Sequence, residues 1–95
     1  MVLGLFGGNK PTPKNIEKQV AKLKERFAQN DFRRMAMDKL LEWGTPEAYD
    51  GLLKRFTMVA QSPHWDEIEK KWLVDTLVQN GAPAKEALVR FINTE

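Results

Sequence analysis

MDKLLEWGTPEAYDGLLKRF, residues 37–56, is written a second time in the same chain as VDTLVQNGAPAKEALVRF, residues 74–91. Each copy reads apolar, Asp, any residue, Leu, apolar, two more residues, Gly-x-Pro, and a closing segment that ends in Arg-Phe. Glycine ends a helix in the left-handed conformation without a Cβ clash, and proline suits the first position of a helix, where its missing N–H would have no helical partner. The stretch therefore predicts a helix, a glycine stop, a proline restart and a second helix. Residues 37–44 align with 74–81 at an offset of 37, and 51–56 with 86–91 at an offset of 35, so the two-residue difference falls inside the second helix of each pair. A third echo, LKERF at residues 23–27, closes an earlier segment in the same way.

Working outward, the apolar spacing has the helical period throughout. Helix one is predicted over 13–29, capped by Thr12 and opened by Pro13, with Ile16, Val20, Leu23 and Phe27 on one stripe. Asn30 or Asp31 caps helix two, which places Phe32, Met35, Ala36, Leu40 and Trp43 inward and stops at Gly44. Helix three starts at Thr45-Pro46, runs to about Thr57 and buries Ala48, Leu52, Leu53 and Phe56. Helix four is capped either by Ser62 ahead of Pro63 or by Asp66 with Glu69 three residues on, a capping-box pattern. Its inner face holds Ile68, Trp72, Leu73, Thr76 and Leu77, and Gly81 closes it. Helix five opens at Pro83 with Ala84, Ala87, Leu88, Phe91 and Ile92 inward. No segment has the alternation of a strand.

Ninety-five residues make one domain with a small core, hiding about two-thirds of the unfolded surface. There is no cysteine, which excludes a disulfide framework and thiolate metal sites. His64 is the only histidine. Asp66 and Glu67 stand beside it, but adjacent residues rarely converge on one ion, and a water-exposed histidine at a helix start is the preferred reading. No phosphate-cradling glycine loop and no nucleophile elbow is present. The net charge of +2 is uneven: residues 1–29 carry six Lys/Arg against two Glu, whereas 30–95 carry nine against eleven Asp/Glu. The tip MVLGLF has no charged region ahead of it, and Val2 stands where a myristoylation signal needs glycine, so a cytoplasmic protein is expected.

A period near 36 with two helices per unit marks a helical solenoid, in which each hairpin covers the apolar face that its neighbour cannot bury alone. The segment DFRRMAMDKLLEWGTPEAYDGLLKRF, residues 31–56, resembles HEAT-like repeats of the prokaryotic, PBS-lyase type. It has their Asp and apolar-Arg opening, a mid-helix Ala, the Leu-x-x-x-Gly exit and the PEA start of the second helix. The second unit keeps only the turn and the apolar positions. The resemblance spans about residues 14–95. It implies an all-α fold: a five-helix, right-handed α-α superhelix of two hairpins and a preceding single helix. Residues 1–12 would be a flexible apolar tail and 13–95 the repeat domain. Relatives with this repeat mostly bind other proteins. Some alkylpurine DNA glycosylases and phycobilin lyases share related folds, but this chain is shorter and shows no groove constellation for catalysis.

The expected function is accordingly a non-catalytic protein-interaction or scaffolding module, with no cofactor and no metal. Asp38 and Asp75 recur at one repeat position and Arg55 and Arg90 at another. They are read as inter-repeat contacts rather than a paired-carboxylate site, because a stacking contact needs copying and a site does not. Trp43, Tyr49 and Trp65 are candidates for an interaction surface, and Trp72 for the core. Lys14, Lys18 and Lys22 form a basic stripe on helix one. The alternative function is binding of nucleic acid or an anionic membrane through that stripe. Self-association through an uncovered end of the solenoid is also expected.

Overall fold

A computed structural model of the chain describes residues 10–94, and the MVLGLF tip lies outside them. The described residues are helical, with no strand: α1 Pro13–Leu23, α2 Asn30–Trp43, α3 Pro46–Leu52 continued by a 3-10 turn Leu53–Thr57, α4 Pro63–Asn80 and α5 Ala82–Thr94. None of these helices is long and apolar enough to cross a membrane.

The boundaries follow local chemistry. Thr12, Thr45 and Ser62 each accept a hydrogen bond from the backbone N–H three residues on, and each precedes a proline. Of the two caps open to α4, Ser62 is the one used. Gly44 closes α2 with φ 64° and ψ 14°, the left-handed region expected of it, and its N–H donates to Leu40. Gly81 sits at φ 77° and ψ −141°, a region that belongs to glycine alone, so the second copy turns differently from the first.

Helix one is shorter than the spacing predicts. It ends at Leu23, and Phe27 is largely exposed instead of closing the stripe. Past Leu23 the chain tightens into turns, with the Glu25 N–H donating to Lys22 and the Ala28 N–H to Glu25, and the connector's carbonyls take distant donors: Arg33 donates to Glu25 and Ala28, and the Gln61 N–H to Arg26. The α2 start also differs, since Gln29 is the cap residue and makes no side-chain cap bond.

Helix α1 packs on both α2 and α3, α2 on α3, α4 on α5, and α3 on α5, while α2 touches α4. The core between them is formed by Ile16, Leu23, Met37, Leu40, Leu52, Leu53, Leu73 and Leu77, with alanines where helices approach. The two repeated phenylalanines meet: the Phe56 and Phe91 rings lie 6.4 Å apart and tilted by 56°. At Gly51 α1 and α3 approach closely. A Cβ there would stand 2.8 Å from Cγ2 of Val20 and 3.3 Å from Cγ2 of Ile16. Four further residues assigned to inner faces by periodicity are exposed instead: Phe32, Met35, Ile68 and Ile92.

Candidate functional site

The most concentrated chemistry lies where α2, the 3-10 turn and α4 meet. Arg33 grips Glu69 with two parallel bonds, Nε to Oε1 at 2.8 Å and Nη2 to Oε2 at 2.7 Å. Arg55 donates from Nε to Glu69 Oε1 at 3.1 Å and from Nη2 to Asp66 Oδ1 at 2.8 Å. The Nη1 of each goes to backbone. Arg33 Nη1 meets the carbonyls of Glu25 and Ala28, and Arg55 Nη1 meets Met58. Asp66 also accepts from the Ala60 N–H at 2.9 Å and pairs with Lys70 at 2.9 Å. Arg33, Arg55, Asp66 and Glu69 are all buried, and Arg55 is inaccessible to solvent.

Such a cluster is held only because every member is satisfied, and no buried side-chain nitrogen or oxygen among the described residues lacks a partner. Burial opposes the charge on Asp66. The Ala60 amide, Lys70 and Arg55 outweigh it and hold the carboxyl down at about 2, against an ordinary 3.8. Arg33 is raised above its ordinary value by its bonds to Glu69, against the opposing effect of burial. The cluster binds the connector after α1 and the connector before α4 to one point. Each of its buried side-chain nitrogens and oxygens has a partner within the protein, and the cluster forms a clasp between these segments.

The recurring residues do not behave alike. Arg55 enters the clasp, but Arg90 is exposed and pairs with Asp50 of α3 at 2.9 Å. Asp38 pairs with Arg34 and Asp75 with Lys71, each four residues away on its own helix and exposed. The inter-repeat pairing expected of these two aspartates is therefore corrected. The carboxylates facing Arg55 are Asp66 and Glu69, which the sequence offered only as a cap. Their i, i+3 spacing puts both on one side of α4, which is the available signal.

The candidate surface residues scatter. Tyr49 is corrected to the interior: it is 4% exposed and its hydroxyl meets Asn80 at 3.2 Å. Trp43 is half-buried against the core, with the Lys39 ammonium 6.0 Å from its ring. Trp65 is partly exposed and edge-on to His64, rimming a polar depression that also involves Arg26, Gln29 and Gln61. Trp72 packs on the core beneath the Arg34 guanidinium, 3.5 Å above its ring, which joins α2 to α4. Lys14, Lys18 and Lys22 are exposed along α1 and make no ion pair among the described residues.

Two exposed apolar areas escaped the sequence reading. One lies between α1 and α2, a groove of about 220 Å³ lined by Gln19, Lys22, Phe32, Met35, Ala36 and Lys39. The other lies between α4 and α5, a groove of about 260 Å³ lined by Leu77, Val78, Gly81, Lys85 and Leu88, and Val74, Val89 and Ile92 of the same two helices are also exposed. Among the described residues no group of three or more His, Asp or Glu is placed to hold a metal ion. Comparison of the chain with protein-family models, curated proteins and solved structures finds no match.

Proposed function

We propose that the protein is a non-catalytic protein-binding module, built as a HEAT-like superhelix of two helical hairpins preceded by a single helix. The alternation of contacts supports the architecture. The second helix of each unit stacks on the next, α1 on α3 and α3 on α5, while the first helices α2 and α4 touch. The observation that carries the binding role is the pair of apolar areas at opposite ends of this stack, with Met35 71% and Val78 75% exposed. A chain with a well-satisfied interior that leaves such side chains in water presents docking surface. The test is site-specific photo-crosslinking in the source cell, with the reactive group at Met35, at Val78 and, as a control, at Lys24. Protein adducts at the first two positions and none at the third are expected. Adducts at none of the three would remove the reading.

A second reading rests on Lys14, Lys18 and Lys22, which stand at successive helical turns without internal partners. It makes α1 a contact for nucleic acid or an anionic bilayer. Retention on duplex DNA or acidic vesicles that falls steeply with salt, and is lost on replacing the three lysines with glutamine, would favour it.

A further inference from the structure

We infer that the groove between α1 and α2 is a binding site for one amphipathic helix of acidic character, supplied by a partner protein. The inference deepens the interaction-module reading and rests on it. Its floor is Phe32, 42% exposed, with Met35 and the buried Ala36. These residues lie at i, i+3 and i+4 on α2, the spacing of a helix face made to lie against another helix. Their counterparts on the opposite side of α2 are covered: Met37 is buried, Leu41 packs on the core and Arg34 caps Trp72 of α4. The groove is thus the uncovered side of a helix whose other side is stacked.

The geometry of the repeat says what shape fits. Each described pair has a first helix that lies beside its own second helix and touches the neighbouring first helix. Helix α1 has the place of a second helix with no first helix of its own among the described residues. The missing element would lie between α1 and α2, which is where the groove runs. An incoming helix restores the stacking without moving either wall.

The chemistry of the rim says what charge fits. The lining contains Lys22 from α1 and Lys39 from α2, and no carboxylate. Lys18 stands one turn before Lys22 and is exposed. Lys39 reaches Glu42 at 3.3 Å in an exposed pair of the kind that contributes little and exchanges readily. An occupant with leucine-like side chains on one stripe and carboxylates on its flanks satisfies floor and rim together. A basic helix would meet like charge on both walls.

The probe is a fluorescein-labelled peptide with leucines at i, i+4, i+7 and i+11 and glutamates between, against the same peptide with lysine for glutamate. Fluorescence anisotropy with the full chain is expected to show the glutamate peptide binding about tenfold or more tightly than the lysine peptide. Met35→Glu and Lys22→Glu are each expected to weaken it by about tenfold, and Lys71→Glu, a charge reversal at an exposed position of α4 outside the groove, to leave it unchanged. Both altered positions are exposed, and circular dichroism of each variant checks that the fold is kept. Equal binding of the two peptides, or loss on Lys71→Glu as large as on Lys22→Glu, overturns the site. So does a concentration-dependent dimer in sedimentation that Met35→Glu abolishes, which makes a second copy the occupant. An intramolecular crosslink from position 35 to residues 1–9 overturns it as well. If neither peptide binds while protein adducts persist at Met35 in the cell, the acidic-helix chemistry falls and the module reading stands. Capture by acidic vesicles in place of either peptide, with no such adducts, removes both.

Discussion

Arg55 and Arg90 occupy the same place in two copies of one pattern, and their surroundings are opposite. Arg55 is wholly buried, shared between Asp66 and Glu69. Arg90 is solvated and holds one exposed aspartate. The phenylalanines that follow them are not so divided, since Phe56 and Phe91 pack against each other. The difference has two physical sources. The α3 helix tightens into a 3-10 turn over Leu53–Thr57, which rotates each successive side chain about 20° further than an α-helix does and carries Arg55 toward α4. Helix α5 runs on as α-helix to Thr94, and no described element follows it with carboxylates to offer. A repeated side chain thus becomes a clasp only where a next hairpin meets it.

Replacing each arginine with alanine is the sharpest way to test that contrast. Arg55→Ala leaves Glu69 with Arg33 and Asp66 with Lys70 and the Ala60 amide, but takes a shared cation from two buried carboxylates and is expected to cost about 3 kcal/mol, a large share of the stability of a small domain. Arg90→Ala is expected to cost at most about 1 kcal/mol. Urea unfolding of the two variants measures both, and equal losses would show that the repeat position, not the neighbour, sets the role.

Acid should open the same clasp. Asp66 is held at about 2 in the folded protein, below its ordinary value, so the stability it contributes is present above about pH 4 and is lost as pH falls toward 2. The shift corresponds to roughly 2 kcal/mol. Urea midpoints followed from about pH 5 downward should fall less steeply for Asp66→Asn than for the native chain, although the variant starts lower. Parallel slopes would mean that other carboxylates govern acid unfolding.

The smallest effect separates Gly51 from its repeat counterpart Glu86. A methyl at position 51 meets Val20, whose branched side chain has little freedom to turn aside. Overpacking outweighs the better helix propensity of alanine, for an expected net loss of about 1 kcal/mol. Glu86 is exposed, so Glu86→Ala should move the melting temperature hardly at all. A stabilising Gly51→Ala would show that α1 yields freely at this crossing.

The helices were legible because their punctuation is local. Thr12-Pro13, Thr45-Pro46 and Ser62-Pro63 state three starts in two residues each, and Gly44 states a stop. The clasp was not legible. Arg33, Asp66 and Glu69 look like surface residues in sequence, and Asp66 and Glu69 have a cap's spacing. Their arginine partners lie 11, 14 and 36 residues away, beyond any local pattern. Nor does periodicity say how much of an apolar face is covered. It assigned Phe32, Met35, Ile68 and Ile92 inward, but α2, α4 and α5 are each wider in apolar residues than their neighbours can cover.

Residue order alone settled the number of helices and three of their starts, since caps, breakers and apolar spacing act within a few residues. Which repeated arginine lost its water, where α1 stopped and which apolar side chains stayed exposed were decided only in three dimensions. Those outcomes depend on the partners that packing brings close: a charge can stay buried only when opposite charges and backbone carbonyls arrive to replace its hydration.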